Sequence, residues 1–213
     1  MKKNLTEIVY ILDRSGSMSG MEADTIGGFN SFIERQRAAD GDAIVSVVLF
    51  DDRSEVLLDR VPIDEVRTMT PDDYWVRGCT ALLDAVGGAV HHIRTVHRYI
   101  REEDRPEKTI FVITTDGMEN ASREYSLGHV KRVIGEAKDS GWEFLFLGAN
   151  IDAVSVAGSI GIAPDRAVRY KASRRGTRRN FDAVAEAVCD MRACGSIDSD
   201  WAAPIRAIEE NDD

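Results

Sequence analysis

Asp13, Ser15 and Ser17 alternate in a short polar stretch, Asp13-Arg14-Ser15-Gly16-Ser17. Alternate side chains of extended backbone point to one side, so a carboxylate and two hydroxyls would face together. Hard oxygen donors of this kind suit Mg²⁺, Mn²⁺ or Ca²⁺ rather than zinc. Gly16 would let the backbone turn tightly between the two serines. Ser and Asp at a strand end are also ordinary loop and helix-cap residues, so this stretch alone leaves both readings open. Two further polar clusters could join it. One is Gly78-Cys79-Thr80, just before a helical pattern; the other is Thr114-Thr115-Asp116-Gly117, just after an apolar run.

The elements that would position these residues follow from hydrophobic periodicity. Ile8–Leu12, Ala43–Phe50, Thr109–Thr114, Trp142–Leu147 and Ala167–Tyr170 read as strands, several of them unbroken apolar runs that suit burial on both faces. Glu55–Leu58 follows Phe50 too closely for a parallel crossover, so it is expected as an antiparallel edge strand. Glu22–Arg37, Ala81–Ile100, Leu127–Ser140, Ile151–Ile160 and Phe181–Ala193 read as helices. Val61–Arg77 is polar, punctuated by Pro, and a poor candidate for core structure. Strands alternating with helices predict an α/β, Rossmann-like three-layer sandwich, with a mostly parallel six-stranded sheet, one antiparallel edge strand and helices on both faces. The expected domain is residues 1–195, followed by an acidic tail over 196–213 that frays at Glu209–Asp213. Ligands of an open parallel sheet bind beyond the carboxyl ends of its strands. That sends Asp13 and Asp116 to one edge, where the Thr80 loop can join them.

Asp13-Arg14-Ser15-Gly16-Ser17 after a first strand, Thr80 before a helix, and Thr115-Asp116-Gly117 after a later strand together resemble the metal-ion-dependent adhesion site of von Willebrand factor A domains. The three pieces occur in the family's order, and the resemblance runs from about Glu7 to about Arg192. Thr25-Ile26-Gly27-Gly28-Phe29-Asn30 and Gly148-Ala149-Asn150 are similar to segments of bacterial cytoplasmic members. The resemblance implies that Ser15 and Ser17 coordinate a cation directly, and that Thr80 does so when a ligand is bound. Asp13 and Asp116 would then act through water and by orienting the hydroxyls. A carboxylate from a protein partner would complete the shell, because a first shell of neutral hydroxyls leaves the cation's charge under-compensated. Cys79 stands where many members carry Gly or another small residue. Arg14 occupies a variable position, where it is expected to be solvated or to meet a partner.

The chain of 213 residues carries a formal charge of −10, which disfavours nucleic acid as a partner. Its three cysteines, Cys79, Cys189 and Cys194, form no disulfide framework and suggest a reducing compartment. The first apolar run is short, ends at Asp13 and lacks a small-residue cleavage site, which argues against a signal peptide. No stretch approaches the roughly 20 apolar residues of a membrane span. A cytoplasmic location without membrane contact is therefore expected.

Other chemistries fit less well. There is no P-loop, no nucleophile elbow and no His-Glu-x-x-His, and His91, His92 and His97 lie at the wrong spacing for a metal. Asp13 could serve as the nucleophile of a metal-dependent phosphoryl-transfer enzyme. That chemistry usually needs a second acid two residues on, where Ser15 stands, so a binding module with no catalytic activity is expected. The basic stretch from Arg169 to Arg179 could meet an acidic protein or a nucleic-acid backbone. A solvated helix start is its simpler account. Asn150 and Asp152 should approach the metal edge, to line a groove or to cap the short helix.

Overall fold

A computed structural model describes residues 1–211, with side chains as far as residue 207. Its centre is β1 (Lys2–Asp13), flanked by two parallel neighbours, β2 (Asp42–Phe50) and β4 (Pro106–Thr115). The sheet continues through β5 (Glu143–Ala149) to β6 (Ala167–Tyr170) on one side and ends at β3 (Ser54–Pro62) on the other. Only β3 is antiparallel, as the short link after Phe50 requires. The expected six-stranded α/β sandwich is therefore the observed fold.

The two faces bury separate cores because successive strand residues point to opposite sides. Ile8, Tyr10 and Leu12 of β1 face the helices α1 (Glu22–Ala38), α5 (Arg174–Cys194) and α6 (Ala203–Asn211). Val9 and Ile11 face α2 (Leu82–Tyr99), α3 (Leu127–Asp139) and α4 (Ala153–Ser159). None of these helices is long and apolar enough to cross a membrane. Register aligns the polar strand ends. Leu12 lies opposite Thr114 and Asp13 opposite Phe50, so Asp13 and Thr115 emerge side by side at the sheet's carboxyl edge.

The segment 61–77 departs from expectation. Ile63, Val66, Met69 and Tyr74 are buried against the α1 side of the sheet, and the Asn30 amide clamps both the N–H and the carbonyl of Met69. The polar residues between them face solvent, and this hid the anchors. The tail expected from residue 196 also packs on the domain. Ile197, Trp201, Ala202 and Ile205 join the core, and α6 lies against α5 and β6. The fraying expected over Glu209–Asp213 falls on side chains outside the described residues. α5 starts at Arg174, well before Phe181; Ser173 caps it and Gly195 ends it in a left-handed turn. Within the sheet, the fully buried Glu7 carboxylate is held by Arg60 (2.5 Å) and His97 (2.5 Å). That gives His97 a structural role, packed edge-on to Trp142.

Candidate metal centre

All five residues expected to hold a cation converge at the carboxyl edge. Ser15 and Ser17 place their hydroxyls 2.9 Å apart, and Thr80 Oγ1 donates to Ser15 Oγ at 3.1 Å. Ser17 Oγ donates to Asp116 Oδ1 at 2.5 Å. Asp13 accepts from the Ser15 N–H at 2.7 Å and from Thr115 Oγ1 at 2.5 Å, so the chain's own groups hold both carboxylate oxygens in place. Three hydroxyls and one further carboxylate thus face one spot, with Asp13 as a fixed negative charge behind them. This donor set fits a hard divalent cation.

The backbone around that spot leaves room that a side chain would take away. A Cβ at Gly117 would come within 2.3 Å of Thr80 Oγ1 and 3.2 Å of Ser17 Oγ. Gly78 sits at φ +68°, a conformation that favours glycine, and carries the turn into Thr80. Gly16 has a different use from the one expected. It is not in the left-handed region; its N–H donates to the Gly78 carbonyl, and a Cβ there would crowd that oxygen at 3.3 Å.

Further bonds join the loops to one another. The Thr80 N–H donates to Asn120 Oδ1, and the Thr80 carbonyl accepts from the N–H groups of Asn120 and Ala121. Glu119 accepts from the N–H groups of Leu83, Ala121 and Ser122, which ties the loop after β4 to the start of α2. Tyr74 donates its phenol to the Asp13 carbonyl at 2.6 Å. Arg14 is neither solvated nor open to a partner, because it is 0% exposed and pairs with Asp51 and Glu55, both at 2.8 Å. Its guanidinium also lies over Trp75. Spacing could not reveal the bond of Thr115 to Asp13, or Tyr74 and the Arg14–Asp51 pair as parts of this site, because each acts across a contact distant in sequence. Asp152 only caps α4, and Asn150 accepts from the Ala172 N–H.

Electrostatics favour a cation here. Burial pushes the Asp13 carboxyl above its usual range, against the hydrogen bonds from Thr115 and Ser15. Burial also pushes Asp116 up to about 6, opposed by the Ser17 bond and helped by the charge of Asp13. A positive ion between them would relieve both carboxylates.

No protein-family model and no curated protein matches this sequence, but solved structures do. The von Willebrand factor domain of the type V pili tip protein Mfa5 from Porphyromonas gingivalis superposes with a TM-score of 0.59 at 10% identity. The match covers 86% of this chain and 94% of that one. This chain has the von Willebrand factor A fold. Proximal thread matrix protein 1 from the mussel byssus, in a form with a zinc-occupied MIDAS motif, matches this chain with a TM-score of 0.59 at 17% identity. There the cover is 86% of this chain but 46% of the mussel protein, so the chain spans under half that protein's length. The conserved hypothetical protein BatB from Bacteroides thetaiotaomicron gives 0.53 at 14% identity, over 87% and 98%.

Proposed function

We propose that this A-type domain is a divalent-cation-dependent binding module that grips a protein partner through one of the partner's acidic side chains, and that it is not an enzyme. The observation that carries this reading is the convergence of the Ser15, Ser17 and Thr80 hydroxyls on Asp116, above an Asp13 already locked in place. The hydroxyls and Asp116 would hold Mg²⁺, Mn²⁺ or Ca²⁺, and the ion would supply positive charge for an incoming carboxylate. The mussel protein's zinc-occupied motif supports a divalent ion in general, and it removes the reason to set zinc aside. Two large apolar side chains stand exposed next to these loops, Met118 (69%) and Trp75 (43%), as anchors of a binding face do. Phosphoryl transfer is disfavoured because both Asp13 oxygens are engaged and buried, whereas a nucleophile needs one free. The exposed free thiols of Cys79 and Cys194 support a reducing, cytoplasmic setting.

The test is calorimetric titration of Mg²⁺, Mn²⁺, Ca²⁺ and Zn²⁺ into wild type, Asp13→Ala and Asp116→Ala. Both variants should lose at least about ten-fold in cation affinity, as expected when a charge that holds the ion is removed. Intact cation binding in Asp13→Ala would overturn the reading.

A further inference from the structure

The most unusual stretch of this acidic chain lies next to the proposed cation site. Arg169, Lys171, Arg174, Arg175, Arg178 and Arg179 fall within eleven residues that contain no Asp or Glu, in a chain of net charge −10. They run from the end of β6 into the first two turns of α5, and all six side chains are exposed. A helix start favours acidic residues and opposes cations, so helix stability does not account for these arginines.

Two contacts place this stretch beside the loop that carries Ser15 and Ser17. Arg174, 88% exposed, reaches Asp24 at 3.4 Å in the first turn of α1. Thr177 Oγ1 contacts the sulfur of Met21 at 3.9 Å, and Met21 lies four residues after Ser17. Tyr170, the last residue of β6, is buried, and β6 runs parallel to its neighbour β5. The chain therefore leaves the sheet at Lys171 on the same edge as the cation site.

We infer that the basic start of α5 and the cation site form one continuous recognition face, and that the partner segment it fits is a run of Asp and Glu residues. This rests on the cation reading for one carboxylate; the others in the run would lie on the arginine rim. Guanidinium groups suit carboxylates because their paired N–H donors match both oxygens. An acidic peptide fits better than nucleic acid because no exposed aromatic interleaves with the arginines: Tyr170 is buried, so bases have no stacking platform.

The experiment uses the full chain and two fluorescein-labelled peptides, octa-aspartate and a Gly/Ser peptide of equal length with a single Asp. Anisotropy titrations are run in Mn²⁺ and in chelator. Octa-aspartate should bind in Mn²⁺ much more tightly than the single-Asp peptide. The combined variant Arg174→Gln, Arg178→Gln, Arg179→Gln should weaken octa-aspartate by about ten-fold, from three lost surface pairs. It should leave Mn²⁺ affinity and single-Asp binding unchanged, and lysines at the same positions should restore part of the loss. No effect of the glutamines on octa-aspartate, while Asp13→Ala abolishes Mn²⁺ binding, would sink the rim proposal and leave the cation site standing. Loss through the glutamines but none through Asp13→Ala would separate the rim from the cation site, and so refute the continuous face. Tighter binding of a single-stranded oligonucleotide than of octa-aspartate would show that the partner class is wrong.

Discussion

Gly117 illustrates how little room the hydroxyl cluster of the proposed cation site has. A methyl group at its Cβ position would lie 2.3 Å from Thr80 Oγ1, inside any real contact distance. Gly117→Ala should therefore push Thr80 out of the cluster and lower Mn²⁺ affinity several-fold. It should cost the fold little, since the residue sits at a rim and Thr80 can move outward. Titration calorimetry beside a urea melt separates the two effects, and unchanged Mn²⁺ affinity would show that Thr80 is dispensable to cation binding. Acid sensitivity comes from other carboxylates. Arg67 and the Thr70 N–H hold Asp73 below its usual range, and the bonds from Arg77 and Arg14 do the same for Asp51 in spite of its burial. Their stabilisation is fully present above the unfolded value of about 3.9 and is lost progressively as pH falls from there through their lower folded values. Asp116, raised to about 6, acts in the opposite sense between its folded and unfolded values. In chelator, the melting temperature should hold or rise slightly from pH 7 to pH 5, then fall steeply below about 4. A steady decline across the whole range would contradict these assignments. That Asp13, Ser15, Ser17 and Asp116 share one edge was legible in the sequence because alternation and strand-end position are local properties, while Thr80 was joined to them through the resemblance to von Willebrand factor A domains. The bond of Thr115 to Asp13 and the parts played by Tyr74 and Asp51 were not, since these contacts span 102, 61 and 37 residues.

Strands read more clearly than helix ends in this chain, and the reason is what each buries. A strand covered on both faces must be apolar along its length, as Ile110–Ile113 and Phe144–Leu147 are. The first turns of α5 show no apolar period, because they bury Gly176, Thr177 and Asn180 rather than large side chains. Their packing against α1 depends on small residues. A Cβ at Gly28 of α1 would fall 2.1 Å from the Phe181 ring, so the two helices approach through that glycine. Phe181 in turn stacks on Tyr10 of β1. Gly28→Ala should force the ring or the helix aside and destabilise the domain by about 1–3 kcal/mol, the usual range for overpacking. A urea midpoint equal to wild type would mean that the α1–α5 contact is looser than it stands here. The 63–74 segment was missed for a related reason. Its buried residues Ile63, Val66, Met69 and Tyr74 follow neither a helical nor an alternating period, since an irregular segment anchors wherever its backbone happens to dip.

At the level of the whole domain, the carboxyl edge carries the proposed cation site, and the far end of β6 carries the contacts of α6 and the turn before it. There the Trp201 indole donates to the Asp165 carbonyl at 2.8 Å, and Arg166 donates to the carbonyl of Ile197 at 3.3 Å. Ile197, Trp201, Ala202 and Ile205 cover the core between α5 and β6, which the short β6 would otherwise leave open. Acidic composition suggested that residues beyond 195 form a tail, but these four apolar side chains fall at spacings that suit a turn followed by a helix. A chain ending at Gly195 should therefore lose far more than a disordered extension would. Burial of each large apolar side chain contributes about 1.5–3 kcal/mol, so losing Ile197, Trp201 and Ile205 removes about 5 kcal/mol or more. That is comparable with the whole stability of many domains. The truncated chain should melt far below the full chain or fail to fold, and Trp201→Ala should lie between them, about 3–5 kcal/mol less stable than wild type. Because Trp201 sits at the edge opposite Asp13, its variant should bind Mn²⁺ as wild type does while it remains folded. Urea denaturation of the three proteins, with a Mn²⁺ titration of the two longer ones, tests both statements. A truncated chain as stable as the full one would place residues 196–207 outside the domain, and weakened Mn²⁺ binding in Trp201→Ala would show that the two edges are coupled.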